Sequence, residues 1–260
     1  MTAGRGKVWF VGAGPGAADL LTLRAAQVIA GADVVIWAAS LVHPDVLGHV
    51  RPDAQVLDSS TLTLEQVLDR YAVAAQRGEV VARIHSGDPS LYGAIQEQID
   101  RCADLGLAWE IVPGVSSLAA AAAAVGRELT IPEVAQSVVI TRLATHTPMP
   151  PGEDVAAFAR HGTTMALFLS AARPHRLQQE LLSGGYPPHT PCAVVYRATW
   201  PEQLIRRCDL DQLAATVRAA GLHRHTLVLV GPALERGGTR SQLYSPGFTH
   251  SFRPHRQVTP

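Results

Sequence analysis

The chain has 260 residues, 47% hydrophobic and 17% charged, a balance that supports a packed core and excludes a disordered chain. Its 22 basic residues are matched by 22 acidic ones, so no basic excess exists to neutralise a phosphate backbone, and nucleic acid is excluded as the main partner. No apolar run reaches the roughly 18 residues of a membrane span. The start, Met1-Thr2-Ala3-Gly4-Arg5, lacks the core of a signal peptide, so a cytoplasmic protein is expected.

The first apolar run, Val8 to Val11, reads as a strand and ends in Gly12-Ala13-Gly14-Pro15-Gly16-Ala17. A helix over 20–30 follows, stopped by Gly31, and then a second strand over 34–37. Pro44 opens a short helix, and Gln55-Val56-Leu57 is a third strand. Thr63-Leu64-Glu65-Gln66 has the spacing of a capping box for a helix to Arg77, closed by Gly78. The run Val80 to Ile84 is a fourth strand, leading into His85-Ser86-Gly87-Asp88-Pro89-Ser90-Leu91-Tyr92-Gly93. A helix carrying Ile95 and Ile99 on one face comes next, then a strand over 109–112 closed by Pro113-Gly114. Strands alternating with helices predict a parallel sheet covered on both faces.

Beyond Val115 the texture changes. Ser116 or Ser117 caps a small-residue helix over 119–125, and strands are expected at 138–141, 165–169, 193–196 and 226–230. Helices are expected near 153–161, 174–182 and 209–219, and the proline-rich stretch 144–152 is a loop. The organisation is therefore α/β with two domains, 1–115 and 116–235, a ligand cleft between them, and an irregular tail over 236–260.

Several familiar chemistries fail on residue type. Lys7 is the only lysine, so neither a Walker phosphate loop nor a Schiff-base enzyme is available. Gly12-x-Gly14-x-x-Ala17 formally fits a dinucleotide fingerprint. However, Pro15 removes an N–H donor, and the second strand ends Trp37-Ala38-Ala39-Ser40, without the acid that holds a ribose. Cys102, Cys192 and Cys208 are isolated in sequence, and His223 with His225 lacks a third ligand, so no protein-bound metal is expected. His85 has no nucleophile motif beside it.

The Gly87-Asp88-Pro89 loop remains. It lies at the carboxyl end of a strand, where open α/β sheets place ligands. Gly87 permits a bend or a close approach, Pro89 restrains Asp88, and Asp88 offers an acceptor to a helix or a ligand. A capped strand-to-helix turn is the plainer alternative. Arg142, Arg173 and Arg197 each lie at a strand exit and have the shape to grip carboxylates, or else are ordinary surface arginines.

In combination, the segments 8–16, 85–98 and Val112-Pro113-Gly114-Val115-Ser116-Ser117 resemble the tetrapyrrole (corrin/porphyrin) methyltransferase family. Leu129-Thr130-Ile131-Pro132-Glu133-Val134-Ala135-Gln136-Ser137 and Ala193-Val194-Val195-Tyr196-Arg197-Ala198-Thr199-Trp200-Pro201 resemble the branch that methylates C11 of precorrin-4, or its cobalt form, in cobalamin biosynthesis. The likeness runs over about residues 7–234. It implies two α/β domains around a trough, S-adenosylmethionine as methyl donor, a tetrapyrrole substrate and a homodimer. It implies donor contacts at Pro15, Ser86, Gly87, Asp88, Leu91, Ser116, Ser117, Leu169, Ala198 and Thr226. Asp88 is the expected catalytic or placing residue. Tyr92, Arg142 and Arg197 are expected to meet the substrate, beneath a lid formed by 144–152. Ser86 and Ser117 stand where relatives also carry Gly or Thr and Ala, respectively. Other methylated carbons, a nicotinamide-dependent reductase and a non-catalytic binding module are the alternatives.

Overall fold

The computed structural model describes residues 6–235, 237–238, 240–245 and 247–253. The N-terminal start at Met1 to Arg5 and the end of the expected tail lie outside them. The chain divides into two compact units, Met1–Ala124 with Tyr196–Leu204, and Val125–Val195 with Ile205–Pro260. The short segment 196–204 thus counts with the first unit, although its neighbours in sequence count with the second.

The first unit is built on β1 (Lys7–Gly12), β2 (Val34–Trp37), β3 (Gln55–Asp58), β4 (Val80–His85) and β5 (Ala108–Val112). Their order is β3-β2-β4-β1-β5, and every pair is parallel. Parallel neighbours need crossovers, which α1 (Leu23–Gly31), the 3-10 helix Pro44–His49, α2 (Leu64–Arg77) and α3 (Gln96–Asp104) supply. Side chains alternate across the sheet, so it has two cores. Val8, Phe10, Ile36 and Val81 pack with Tyr71 and Ile99 on one side. Val11, Val35, Ala82 and Ile84 pack with Ala25 and Ile29 on the other. The edges β3 and β5 are mostly exposed.

The capping box forms as its spacing predicts. The Thr63 N–H donates to Gln66 Oε1 (2.9 Å), the Gln66 N–H donates to Thr63 Oγ1 (3.4 Å), and Gly78 closes α2 at φ 70°. α1 starts later than its periodicity suggests. Thr22 caps it by accepting from the Ala25 N–H (3.0 Å), and residues 18–20 form a 3-10 turn instead.

The second unit carries β6 (Val138–Arg142), β7 (Thr164–Phe168), β8 (Pro191–Tyr196), β9 (Leu204–Asp209) and β10 (Thr226–Val230), in the order β6-β7-β10-β8-β9. β6 runs parallel to β7, and β10 antiparallel to it. α4 (Ser117–Val125) leads into this unit, and α5 (Val155–Ala159), α6 (Pro174–Ser183) and α7 (Leu213–Ala219) belong to it. Met165, Leu167, Leu177, Leu181, Leu210 and Leu213 are fully buried. β9 is absent from the sequence expectation, which began a helix at 209. Its sequence, Leu204-Ile205-Arg206-Arg207-Cys208-Asp209, carries charges on both faces, and an edge strand with charged positions loses the alternation that marks a strand. No helix among the described residues is long and apolar enough to cross a membrane.

Candidate functional site

Because β1, β4 and β5 are adjacent and parallel, their carboxyl ends lie side by side, and the turns leaving them meet. Gly12 of β1 is level with His85 of β4. The Ala13 N–H donates to the His85 carbonyl (2.8 Å). Gly14 and Gly87 then close on each other, Gly87 N–H to Gly14 O (2.7 Å) and Gly14 N–H to Gly87 O (3.2 Å). Both adopt the left-handed backbone, at φ 75° and 65°. The third turn is pressed against this pair. A Cβ on Gly12 would stand 2.6 Å from the Gly114 backbone N and Cα, and one on Gly114 would strike the Gly87 carbonyl. The three strand ends therefore meet at a place where only backbone fits.

Asp88 fastens the same junction. One carboxylate oxygen accepts from the Gly114 N–H (2.9 Å), and the other accepts from the Ser90 N–H (2.9 Å) and the Ser90 hydroxyl. Burial works against ionisation, but the Ser90 hydroxyl, the Gly114 N–H and the Ser90 N–H outweigh it and hold the carboxyl below its ordinary pKa. Asp88 is a fixed carboxylate and a weak base. His85, behind the loop, is buried beside Phe10 with Nε2 unpartnered. Burial, and then the Arg83 charge, push its pKa down to about 3, so the ring is neutral.

The loop after Asp88 is held in an uncommon conformation. Tyr92 and Ala94 are left-handed, at φ 58° and 48°, and Tyr92 is exposed. Left-handed non-glycine residues persist only where their surroundings impose them. Here Gln98 Nε2 grips the Ala94 carbonyl (2.9 Å), while Gln98 Oε1 accepts from the buried Tyr71 hydroxyl (2.9 Å) and from Arg83 Nε (3.3 Å). These φ values also explain why α3 begins only at Gln96. Ser86 is exposed, Leu91 half-buried, and the backbone of Ser116 and Ser117 lies beside Gly87. Ser116 Oγ accepts from the Leu118 N–H (3.2 Å) at the start of α4.

Residues 196–204, which count with the first unit, pack on its first glycine turn. Trp200 Nε1 donates to the Pro15 carbonyl (2.9 Å), and the Ala17 N–H donates to Thr199 Oγ1 (3.0 Å). A Cβ on Gly16 would land on the Trp200 indole, so that glycine is a close-approach position. His43 packs edge-on against Trp200 at 4.7 Å. Arg197 lies over the Trp200 ring at 4.7 Å and pairs with Glu202 at 3.4 Å. Arg197 and Thr199 are both left-handed, and Ala198 between them is buried. Sequence reasoning placed Pro15 and Ala198 in one site but missed Thr199, Trp200 and Gly16, which bring them together. The signal available was the Thr199-Trp200-Pro201 run.

In the second unit, Leu169 leaves β7 left-handed at φ 53° with 65% of its surface exposed. The pairing of Val228 with Leu167 and Leu229 with Ala166, continued outward, sets Thr226 opposite Leu169. Arg142 is level with Phe168 in the parallel pair. Arg142, Leu169 and Thr226 therefore share one end of the sheet. Arg142 donates to the carbonyls of Leu143 (3.1 Å), Thr147 (3.1 Å) and Pro148 (3.2 Å), so its guanidinium braces the start of the 144–152 loop. Arg173 sits at the N-terminus of α6. Among the described residues no group of three or more His, Cys, Asp or Glu is placed to hold a metal.

The model of the tetrapyrrole (corrin/porphyrin) methylases matches residues 7–214. The precorrin-4 C(11)-methyltransferase of Mycobacterium tuberculosis is 48% identical over 240 residues, covering 92% of this chain and 96% of that protein. The cobalt-precorrin-4 C(11)-methyltransferase of Methanocaldococcus jannaschii is 43% identical over 248 residues, covering 95% and 96%. Among solved structures, a cobalt precorrin-4 methyltransferase superposes with a TM-score of 0.85 at 40% identity, over 88% of this chain and 96% of that one. A Thermus thermophilus uroporphyrin-III C-methyltransferase complexed with S-adenosylhomocysteine gives 0.73 at 27% identity, over 88% and 93%.

Proposed function

Because the chain belongs to the tetrapyrrole (corrin/porphyrin) methylase family, we infer that it is an S-adenosylmethionine-dependent C-methyltransferase acting at C11 of precorrin-4, or of cobalt-precorrin-4, in cobalamin biosynthesis. The observation that carries the reading is the closure of three strand ends by Gly12, Gly87 and Gly114 with Asp88 as their fastener. It leaves a rigid, backbone-lined rim that suits a ligand held by close approach.

The same closure weighs against a nicotinamide cofactor. The N–H of Gly14, which a dinucleotide loop would present to a pyrophosphate, is already bonded to Gly87, and Pro15 has none to offer.

The residues fit the donor. Pro15, Ser86, Gly87, Asp88, Leu91, Ser116, Ser117 and Ala198 border the glycine junction or the segment bonded to it, and Leu169 and Thr226 are further donor contacts on this reading. Tyr92, Arg142 and Arg197 serve the tetrapyrrole, Arg142 through the loop it organises. When bound, S-adenosylmethionine supplies a methyl group on an electrophilic sulfonium. The chain's own work is alignment and exclusion of water, which such a transfer needs more than a strong base. Asp88 accordingly places the loop and accepts no substrate proton. The enzyme acts as a homodimer in the cytoplasm, and needs no resident metal.

Calorimetric titration with S-adenosylhomocysteine and with NADH tests the cofactor. Binding of NADH with none of the homocysteine compound would overturn it. NMR of the product formed from precorrin-4 and isotope-labelled donor tests the carbon, and label at any position but C11 would refute that assignment. Sedimentation at micromolar concentration reads the dimer, where a monomer would be the contrary result.

A further inference from the structure

The cysteines read as isolated in sequence do not all remain so. Cys192 lies on β8 and Cys208 on β9, which are neighbours in the sheet. A connection of seven residues, 197–203, is too short for a parallel crossover, so the two strands form an antiparallel hairpin. The Leu210 N–H donates to the Thr190 carbonyl (2.9 Å), and stepping two residues inward along each strand sets Cys208 directly opposite Cys192. Directly opposite residues of a hydrogen-bonded pair have Cα atoms about 5.5 Å apart and side chains on one face. That separation is inside the window a disulfide spans, roughly 4.4–6.8 Å.

We propose that Cys192 and Cys208 are a peroxide-responsive dithiol, in which Cys208 is attacked first and Cys192 resolves it to a cross-strand disulfide. The division of labour follows from their surroundings. Cys192 is buried, with its thiol 3.6 Å from the Thr190 carbonyl, whereas Cys208 is half-exposed on the edge strand. The neighbouring Cys208 side chain, followed by burial, pushes Cys192 well above an ordinary thiol and keeps it protonated. Cys192 in turn lowers Cys208, burial opposes it, and the Thr216 hydroxyl on α7 assists, bringing Cys208 to about 7. The charged or titratable groups nearby are Asp209 and Asp211, which disfavour the thiolate, and Tyr186 on the Cys192 side. A half-exposed thiolate beside a resolving thiol is the arrangement that peroxides oxidise reversibly.

The oxidant is a hydroperoxide. The Cys208 thiolate attacks its outer oxygen; an S–O bond forms, the O–O bond breaks, and the departing alkoxide takes a proton from water to leave as the alcohol. The Cys192 sulfur then attacks Cys208, an S–S bond forms, the S–O bond breaks, and hydroxide leaves as water with the Cys192 proton. Two electrons pass from the dithiol to the peroxide.

The test is peptide mapping, without reductant, of the native full chain after exposure to hydrogen peroxide. The expected result is a Cys192–Cys208 cross-link that dithiothreitol reverses, with Cys102 still alkylatable afterwards. In Cys192→Ser, Cys208 should accumulate as a sulfenic acid captured by dimedone; in Cys208→Ser, Cys192 should stay reduced. Recovery of both thiols free, or of Cys208 as sulfinic acid without the cross-link, at peroxide levels that oxidise free cysteine would overturn the proposal. The wild-type map decides the matter even if a variant folds poorly.

Discussion

The two units solve one problem by different routes. In the first, the five strands are parallel, so neighbouring strands deliver their carboxyl ends to a common rim automatically. The rim can then be made of backbone, with glycines where chains must touch. In the second, β6 and β7 end where β10 begins, because β10 is antiparallel to β7. That end of the sheet carries Leu169, held left-handed, and Arg142, tied to the loop that follows. Removing conformational freedom should therefore hurt the first unit most, and restoring it should change the second least.

The largest effect is expected from Gly12→Ala. Its Cβ would meet the Gly114 backbone at 2.6 Å, which nothing flexible can relieve. Overpacking of this kind costs about 1–3 kcal/mol of stability, and misplacing a binding turn by an ångström costs on the order of 100-fold in activity. Thermal unfolding and S-adenosylhomocysteine titration measure the two parts. Near-normal affinity would show that the glycine junction does not set the donor site.

Asp88→Ala comes next. It removes an ionised acceptor from two backbone N–H groups and a hydroxyl, worth about 1.5–3 kcal/mol for a hydrogen bond to a charged group. A fall of at least tenfold in donor affinity is expected. Since the folded carboxyl has a depressed pKa, its contribution is complete above the unfolded value near 3.9 and disappears as pH falls through the lower folded value. Donor binding by wild type should thus be flat from neutral down to about pH 5, a range in which a true general base would already be titrating. A decline centred between pH 6 and roughly 7 would restore Asp88, or another group, as that base.

Trp200→Phe keeps the ring but deletes the donor to the Pro15 carbonyl. One neutral hydrogen bond is worth about 1 kcal/mol, so KM for the donor should rise about fivefold with kcat little changed. An equal loss in kcat would mean that Trp200 acts on the reacting atoms instead.

The smallest effect belongs to the second unit. Leu169→Gly relieves a left-handed residue, whose cost is about 1–2 kcal/mol, against the greater freedom of glycine when unfolded. Stability should rise slightly while donor affinity falls, since the exposed side chain is lost. If both are unchanged, Leu169 touches no ligand.

Much of this was legible in the chain. Periodicity and caps located β1 to β5, and Thr63 with Gln66 fixed the start of α2, because those signals depend on neighbours within a turn. Gly87 was legible as a place where backbone must bend or come close, since it has no Cβ, whereas Gly12, Gly14 and Gly114 showed only as turn residues until the strand ends met. The resemblance to tetrapyrrole methylases placed the chemistry. What was illegible depended on pairing. β9 carries charges on both faces and is a strand only because β8 offers it an edge. Trp200 holding Pro15, Gln98 holding Ala94, Thr226 facing Leu169 and Cys208 facing Cys192 each join residues whose separation in sequence says nothing of their distance. Local chemistry thus determined which segments turn, stop and expose backbone. The tertiary structure alone decided which of them meet, because register and strand direction belong to the assembled sheets and not to any stretch of the chain.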